Sequence, residues 1–146
     1  MHGAFGRFSH TLHPEERDLV FVAGGIGITP LMSMLRYLRD TKDDRTVLLI
    51  YGNVTEDSIV FRDELADIEA GDHPRLRVVH VLSDPSPEWQ GETGFLTREK
   101  IERYCESAVS GECVDERSFY VCGPPPMLRT VIQALKEMGV KNRRIR

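Results

Sequence analysis

Apolar runs and amphipathic segments alternate along this chain. Short apolar runs rich in β-branched residues are typical of buried strands, whereas apolar positions three and four residues apart are typical of helices. The runs predict four strands, at residues 19–23, 46–51, 76–82 and 119–122. Because strands that alternate with helices usually form a parallel sheet, the pattern predicts an α/β fold with an open, mostly parallel sheet and helices on both faces.

The predicted helices lie between these strands and after the last one. Their periodic apolar positions are Leu31, Met34, Leu35 and Leu38; Ile59, Phe61, Leu65 and Ile68; Ile101 and Tyr104; and Leu128, Val131, Ile132 and Leu135. Thr97 is expected to cap the third helix and Gly139 to end the fourth. We expect loops at residues 83–94 and 106–117, and a fifth strand that begins within residues 143–146.

Composition narrows the class of protein. The chain has 146 residues, of which 40% are hydrophobic and 29% charged, and a formal net charge of −4. These values fit one globular domain and give no sign of a nucleic-acid partner. No apolar run approaches the roughly 18 residues of a membrane-spanning helix. Cys105, Cys113 and Cys122 match no metal-binding spacing, so we expect reduced thiols, a cytoplasmic protein and no metal site.

The first strand leads into a glycine-rich turn, in which residues 20–30 read Val-Phe-Val-Ala-Gly-Gly-Ile-Gly-Ile-Thr-Pro. Thr29 is a favourable N-cap and Pro30 a favourable first helical residue. Glycine permits close approach of a ligand to the backbone, and a helix N-terminus attracts anions such as a pyrophosphate. A purely structural strand-to-helix turn has the same pattern. The predicted nucleotide-binding residues are Gly24, Gly25, Gly27, Ile28, Thr29 and Pro30.

A second turn joins the predicted fourth strand to the last helix, with the sequence Cys122-Gly123-Pro124-Pro125-Pro126-Met127. It combines a thiol at a strand end, a glycine, and prolines whose fixed φ suits a helix entrance. Open parallel sheets bind ligands beyond the carboxyl ends of their strands. If the first and fourth strands are neighbours, both turns border one crevice. A dinucleotide would then lay its pyrophosphate on the first turn and its nicotinamide by the second.

Taken together, Gly24-Gly25-x-Gly27-x-Thr29-Pro30 and Cys122-Gly123-Pro124-x-x-Met127 resemble the nucleotide-binding domain of the ferredoxin–NADP reductase family. Paired motifs in the right order are more specific than either one alone. The resemblance covers nearly the whole chain and implies a five-stranded sheet of order 3-2-1-4-5. Further segments that share it are Tyr51-Gly52-Asn53 with Glu56, Ile59, Phe61, Arg62, Glu64 and Leu65; Gly94-Phe95-Leu96-Thr97; and Gly3-x-Phe5-Gly6-x-Phe8.

The resemblance implies a role in flavin-dependent electron transfer. In this family, hydride passes from a reduced nicotinamide to FAD or FMN, and electrons pass on to an iron–sulfur protein, a haem protein or another acceptor. Gly25, Gly27 and Thr29 would lie along the pyrophosphate. Cys122 would be the catalytic residue, aligning the nicotinamide with the flavin. Without the resemblance, Cys122 is more simply a small buried hydrophobe. The other implied cofactor-binding residues are Gly52, Asn53, Gly123, Pro124, Pro125 and Met127.

The resemblance also implies the domain organisation. Residues 1–13 are expected to be the end of a flavin-binding domain and a linker, because Gly3-x-Phe5-Gly6-x-Phe8 resembles the turn that closes that domain. Residues 14–146 are expected to be the nucleotide-binding domain, truncated at its C-terminus, because the family usually ends in one more strand and an aromatic residue. FAD or FMN would be bound mainly by the flavin-binding domain of the same parent protein, and this chain alone is expected to be inactive.

The loops after the second and third predicted strands favour NADH over NADPH. Family members selective for NADPH commonly have Ser-Arg after the third strand, where the arginine binds the 2′-phosphate. This chain has Ser83-Asp84 there, and a carboxylate would repel the phosphate. Glu56 and Asp57 add negative charge and are suited to accept ribose hydroxyl hydrogens. They are equally suited to the N-terminus of the second helix.

Other interpretations remain open at the level of sequence. Arg98 or Lys100 is able to reach a 2′-phosphate, which keeps NADPH possible, and Trp89 either covers the adenine or packs on the surface. A non-catalytic NAD-binding sensory or regulatory module would keep the first turn but would not need the turn that begins at Cys122. A receiver-type protein needs clustered aspartates at the strand ends, which here are Ala23, Tyr51, Leu82 and Cys122.

Overall fold

The computed structural model describes residues 18–108, 117–141 and 144–145. The strands are β1 (Asp18–Gly24), β2 (Thr46–Asn53), β3 (Arg75–Leu82), β4 (Glu92–Thr93) and β5 (Ser118–Cys122). The helices are α1 (Ile28–Asp40), α2 (Arg62–Ala70), α3 (Arg98–Ala108) and α4 (Pro125–Glu137). All strand pairs are parallel, and the sheet order is β4-β3-β2-β1-β5. The predicted open α/β sheet is therefore confirmed.

Apolar side chains on both faces of the sheet form two separate cores, because the strands of a parallel sheet are buried on both sides. Alternate residues of β1 show this: Phe21 belongs to one core, and Val20 and Val22 belong to the other. Helices α1 and α2 cover the first face, and α3 and α4 cover the second. The predicted placement of helices on both faces is thus confirmed.

The two edges of the sheet differ in detail from the prediction. The loop predicted at residues 83–94 contains β4, which pairs with Val81 and Leu82 of β3. Strand β4 has only two residues, so it has no apolar periodicity to detect. At the other edge, the predicted last strand consists of a single parallel bridge from Ile145 to Phe119. The expected remnant at residues 1–13 and the thiol of Cys113 lie outside the described residues.

Two helix ends lie where the capping residues in the sequence predict them. The Thr97 hydroxyl accepts a hydrogen bond from the backbone N–H of Lys100 at 3.3 Å, as its predicted role as a cap requires. Gly139 has φ of +92° just beyond α4, a conformation that commonly ends helices. None of the described helices combines the length and apolar character needed to cross a membrane.

The start of α2 differs from the prediction. The apolar spacing placed Ile59 and Phe61 inside the helix, but α2 begins at Arg62. Phe61 has φ of +63° in the left-handed region, which interrupts the helical path. Ile59 nevertheless reaches the core from the preceding turn and is 8% exposed. The apolar pattern therefore identified core residues correctly but not the backbone that carries them.

Candidate functional site

Strand β1 lies between β2 and β5, so the carboxyl ends of these three strands meet at one edge of the sheet. In the register of the sheet, Ala23 lies beside Cys122 and Gly24 lies beside Gly52. The β1–α1 turn and the β5–α4 turn are therefore neighbours, which is the arrangement that a shared crevice needs.

The two turns touch through their backbones. A Cβ atom added to Gly27 would lie 2.5 Å from the carbonyl oxygen of Cys122 and 2.8 Å from the Cα of Gly123. A Cβ added to Gly24 would lie 2.4 Å from the Sδ atom of Met127. Both distances are below van der Waals contact. The missing Cβ at Gly27 therefore lets the two backbones pack directly against each other, and the missing Cβ at Gly24 leaves room for the side chain of Met127.

The start of α1 corrects the predicted cap. Residues Gly25–Gly27 form a 3-10 turn that leads directly into a helix beginning at Ile28, with Gly27 at the N-cap position and no side-chain capping bond. Thr29 is therefore a helical residue and not the N-cap, and its side chain is exposed. The sequence signal failed because the glycine turn itself enters the helix, so that α1 begins two residues earlier than the Thr-Pro pair indicates.

Gly25 provides the open side of this turn. Its φ of +54° lies in the left-handed region that favours glycine. A Cβ added there would meet no atom within 4 Å, so the space beside Gly25 is free for a ligand.

The hydroxyl of the buried Tyr51 holds this turn in place through hydrogen bonds. It accepts a hydrogen bond from the backbone N–H of Val60 at 3.1 Å and lies 3.4 Å from the carbonyl oxygen of Gly25. Burial raises the pKa of Tyr51 above its usual value, so the hydroxyl keeps its proton at neutral pH. Tyr51 thereby links Gly25 to the segment ahead of α2, where Phe61 is also left-handed.

A cleft of about 230 Å³ opens beside the two turns. Seven of the predicted site residues line it: Gly24, Gly25, Gly52, Asn53, Ser83, Pro124 and Met127. Five further residues line the cleft but were not predicted from the sequence to belong to the site: Val54, Val81, Gly94, Phe95 and Leu96. Of these, Phe95 is a large aromatic residue in a polar stretch of the sequence, which is a signal that sequence reasoning could have used. Its side chain is 77% exposed in the fold, as expected for a residue that contacts a ligand or a partner.

The remaining predicted residues lie around this cleft without lining it. Gly27, Cys122 and Gly123 form the contact between the turns. Ile28 is buried, Pro30 is partly exposed, and Asp57 and Pro125 are exposed. Asp84 is exposed, and its backbone N–H donates to the carbonyl of Val54 at 2.8 Å. The carboxylate of Glu56 contacts Ser86.

Cys122 is half-buried at the end of β5 and packs against the core on the α1–α2 side. Burial raises the pKa of its thiol, because a low-dielectric environment disfavours the thiolate. At neutral pH the side chain is therefore a neutral, polarizable group and not an activated nucleophile.

We expect alkylation of Cys122 by iodoacetamide at pH 7 to be slow, roughly threefold or more below that of a small free thiol such as glutathione. The rate should increase with pH and level off only above the usual titration range of a thiol, since the raised pKa lowers the thiolate fraction at neutral pH. Mass spectrometry of the peptide containing Cys122 measures this rate separately from that of the buried Cys105. Rapid labelling at neutral pH would show that the thiol is activated.

Fold and site together define an α/β nucleotide-binding domain with its ligand cleft at the carboxyl edge of a parallel sheet. The sequence model of the oxidoreductase NAD-binding domain family matches residues 21–133. The chain therefore belongs to the oxidoreductase NAD-binding domain family.

Known relatives share this domain within longer proteins. The chain is 37% identical over 137 residues to a nitrate reductase [NADPH] of Fusarium oxysporum, covering 90% of this chain and 15% of the relative. It is 35% identical over 140 residues to NADH-cytochrome b5 reductase 1 of Cryptococcus neoformans var. neoformans, covering 94% of this chain and 47% of the relative. The chain thus spans less than half the length of either protein.

Solved structures agree with the fold. The CS-b5R domains of human Ncb5or in the NAD+ form match with a TM-score of 0.80 and 29% identity, over 97% of this chain and 38% of that one. A ferredoxin NADP+ reductase from Neisseria gonorrhoeae with bound FAD and NADP matches with a TM-score of 0.70 and 26% identity, over all of this chain and 58% of that one. The predicted likeness to ferredoxin–NADP reductases is confirmed.

Proposed function

We propose that this chain is the nicotinamide-nucleotide half of a flavin-dependent reductase, and that its nucleotide is NADH. The observation that carries the proposal is the backbone contact of Gly27 with Cys122 and Gly123 beside an open cleft. This contact joins an anion-binding helix entrance to a half-buried thiol at the end of the neighbouring strand. A dinucleotide needs both features, one for its pyrophosphate and one for its nicotinamide.

The residues present fit such a ligand. The left-handed Gly25 leaves open space for the pyrophosphate, and the N-terminus of α1 favours its negative charge. Cys122 and Pro124 would shape the nicotinamide pocket, where the neutral thiol offers packing without competing for a proton. When bound, the reduced nicotinamide supplies a hydride to a flavin held by a separate domain. The work of this chain is then to bind and orient.

The surroundings of the cleft support NADH. Asp84 is exposed immediately after Ser83 of the cleft wall, where its charge would repel a 2′-phosphate. The two cations that the sequence left open for that phosphate both have partners in the fold, and the partner of Lys100 is a residue that lines the cleft. Arg98 forms ion pairs with Glu102 and Glu137, and Lys100 donates to the carbonyl of Phe95 at 3.0 Å.

Trp89 does not extend over the cleft. It packs against the core on the α1–α2 side, and its ring nitrogen donates to the carbonyl of Glu92 at 2.9 Å. This contact supports the surface-packing interpretation of Trp89 and leaves Phe95 as the exposed ring at the cleft.

We further propose that the flavin-binding domain of the parent protein packs over the β1–α1 turn. Ile26, at the tip of this turn, is 86% exposed, and an exposed apolar side chain beside a site suits a domain contact. Downstream acceptors are proposed to be iron–sulfur or haem proteins, in line with relatives such as NADH-cytochrome b5 reductase 1.

The proposed location is the cytoplasm, based on the sequence expectation of reduced thiols.

Amide chemical shifts of the chain during a titration with NADH test the site. We expect shifts concentrated at residues 24–30 and 122–127 and at the cleft wall, with weaker binding of NADPH. No shifts at millimolar NADH, or shifts confined to other surfaces, would contradict the proposed site. Rapid-mixing absorbance of the flavin in the parent protein tests the redox role. A purely regulatory module would bind NADH without reducing a flavin.

A further inference from the structure

Glu56 and Ser86 join two loops at the rim of the cleft. The backbone N–H of Ser86 donates to one carboxylate oxygen of Glu56 at 3.0 Å, and the Ser86 hydroxyl donates to the other oxygen. Glu56 lies in the 3-10 turn after β2, and Ser86 lies in the loop between β3 and β4. We call this pair of hydrogen bonds the Glu56–Ser86 clasp.

The clasp holds the segment that carries Asp84. On one side of Ser86, the backbone N–H of Ser83 donates to Asn53 at 3.0 Å, and that of Asp84 donates to Val54 at 2.8 Å. These bonds continue the β2–β3 ladder by two residues. The clasp adds a third attachment, beyond the point where the ladder ends.

On the other side, Ser86 closes a turn with Trp89. The backbone N–H of Trp89 donates to the carbonyl of Ser86 at 3.1 Å. Proline at positions 85 and 87 fixes φ on both sides of Ser86. Because this segment is stiff, the position of Ser86 also fixes the positions of Asp84 and Trp89 on either side of it.

We propose that Glu56 is a positioning residue that acts through Ser86 to hold Asp84 where its charge discriminates between NADH and NADPH. This inference rests on the proposed preference for NADH. It also replaces the expectation from sequence that Glu56 accepts the ribose hydroxyls directly. The role of Glu56 is then geometric, and its charge matters less than its two acceptor oxygens.

The chemistry of the clasp suits this role. Its hydrogen bonds from Ser86 lower the pKa of Glu56 below the usual value, so the carboxylate remains ionised at neutral pH. Hydrogen bonds to an ionised acceptor are stronger than neutral ones. The side chain of Glu56 is partly exposed, so we expect moderate effects on selectivity and not loss of the fold.

Four substitutions separate geometry from charge. Glu56→Ala removes both bonds, and Ser86→Ala removes only the hydroxyl bond. Glu56→Gln loses the charge but keeps the shape, because its amide oxygen can accept from the Ser86 N–H and its NH₂ can donate to the Ser86 hydroxyl. Glu88→Ala is the matched control, since it removes an exposed carboxylate from the same loop without touching the clasp.

The first measurement needs no nucleotide. Trp89 is the only tryptophan of the chain, so acrylamide quenching of its fluorescence reports the order of this loop. We expect quenching to increase about twofold in Glu56→Ala and less in Ser86→Ala, since each lost hydrogen bond contributes modestly. Quenching in Glu88→Ala should match that of the unsubstituted chain. Quenching in Glu56→Gln should lie closer to that of the unsubstituted chain than to that of Glu56→Ala, because the neutral hydrogen bonds are weaker but retained. Unchanged quenching in Glu56→Ala would overturn the clasp.

The second measurement is the ratio of the dissociation constants of NADPH and NADH for each variant, from amide-shift titrations. We expect the ratio to fall about fivefold in Glu56→Ala, in keeping with the loss of two hydrogen bonds, and about twofold in Ser86→Ala. In Glu56→Gln it should stay within twofold of the original. An equal fall in Glu56→Gln and Glu56→Ala would show that charge acts directly and would overturn the positioning role. If the ratio falls in Glu56→Ala but is unchanged in Ser86→Ala, Glu56 binds the ribose directly, and the positioning role is overturned.

The two measurements distinguish the failure of this inference from failure of the proposed function. If the unsubstituted chain binds NADPH as tightly as NADH, the cofactor proposal is wrong, and the positioning role in selectivity falls with it. The quenching data would still show whether the clasp orders the loop.

Discussion

Replacing Gly27 with alanine is expected to weaken nucleotide binding strongly and to destabilise the fold. The added Cβ would lie 2.5 Å from the Cys122 carbonyl oxygen and 2.6 Å from its carbon. Both atoms belong to the backbone of β5, so no side-chain rotation relieves the overlap, and the two turns must separate. Overpacking of this kind costs about 1–3 kcal/mol in the free energy of unfolding. Because both turns form the site, we expect NADH affinity to fall by roughly tenfold or more.

Gly24→Ala is the matched control for this prediction. Its Cβ would meet the Sδ of Met127 at 2.4 Å, and Met127 is a flexible side chain that can adopt another rotamer. We therefore expect a smaller loss of stability in Gly24→Ala than in Gly27→Ala. Chemical denaturation and NADH titration of both variants measure the difference. If the two variants lose equal stability and affinity, the backbone contact between the turns is not what the site depends on.

Replacing Asp84 with asparagine is expected to strengthen NADPH binding by roughly tenfold, with little change for NADH. The substitution removes a carboxylate of nearly the same shape, and with it the repulsion of the 2′-phosphate. Two like charges about 4 Å apart near a protein surface interact by a few kcal/mol at most, and by about 1 kcal/mol in water. The ratio of the NADPH and NADH dissociation constants, measured at low and at high salt, checks this expectation. The gain should shrink at high salt, because salt screens exposed charges.

Asp72→Asn provides the control for net charge. Asp72 is exposed and precedes β3, so it lies at the amino end of that strand, whereas the cleft lies at the carboxyl ends of the strands. The substitution Asp72→Asn changes the charge of the chain by the same amount as Asp84→Asn. If both variants improve NADPH binding equally, the effect is a general one of net charge. If neither does, Asp84 does not face the 2′ position of the ribose.

These two expectations concern different parts of the same cleft. Gly27 lies where β1 meets β5, and Asp84 follows β3, two strands away from β1. Sites this far apart usually act independently. We therefore expect the double variant to combine the Gly27→Ala loss of stability and affinity with the relaxed NADH preference of Asp84→Asn.

Local sequence signals anticipated much of this structure. The apolar runs marked β1, β2, β3 and β5 because strands buried on both faces are almost wholly apolar. The cap at Thr97 and the helix end at Gly139 could also be predicted from the sequence, since each depends on a few adjacent residues. Strand β4 could not be predicted, because it forms by pairing with β3 and its own two polar residues carry no strand pattern.

Within the site, sequence identified the turns but not all of their contacts. The glycines pointed to close backbone approach, and the structure provides it at Gly27. Thr29 was misjudged as a cap, because the 3-10 turn at Gly25–Gly27 starts the helix earlier. The clasp between Glu56 and Ser86 joins residues 30 positions apart, a separation that no local pattern encodes.

The sequence by itself determined the alternation of strands and helices, the two ligand-facing turns and the family to which the chain belongs. Each of these depends on the chemistry of residues that are close in sequence. Only the tertiary structure decided that Gly27 touches Cys122, that Tyr51 lies beneath Gly25, and that Lys100 is held by the carbonyl of Phe95. Such contacts arise when strand order and register bring distant segments within a few ångströms of each other.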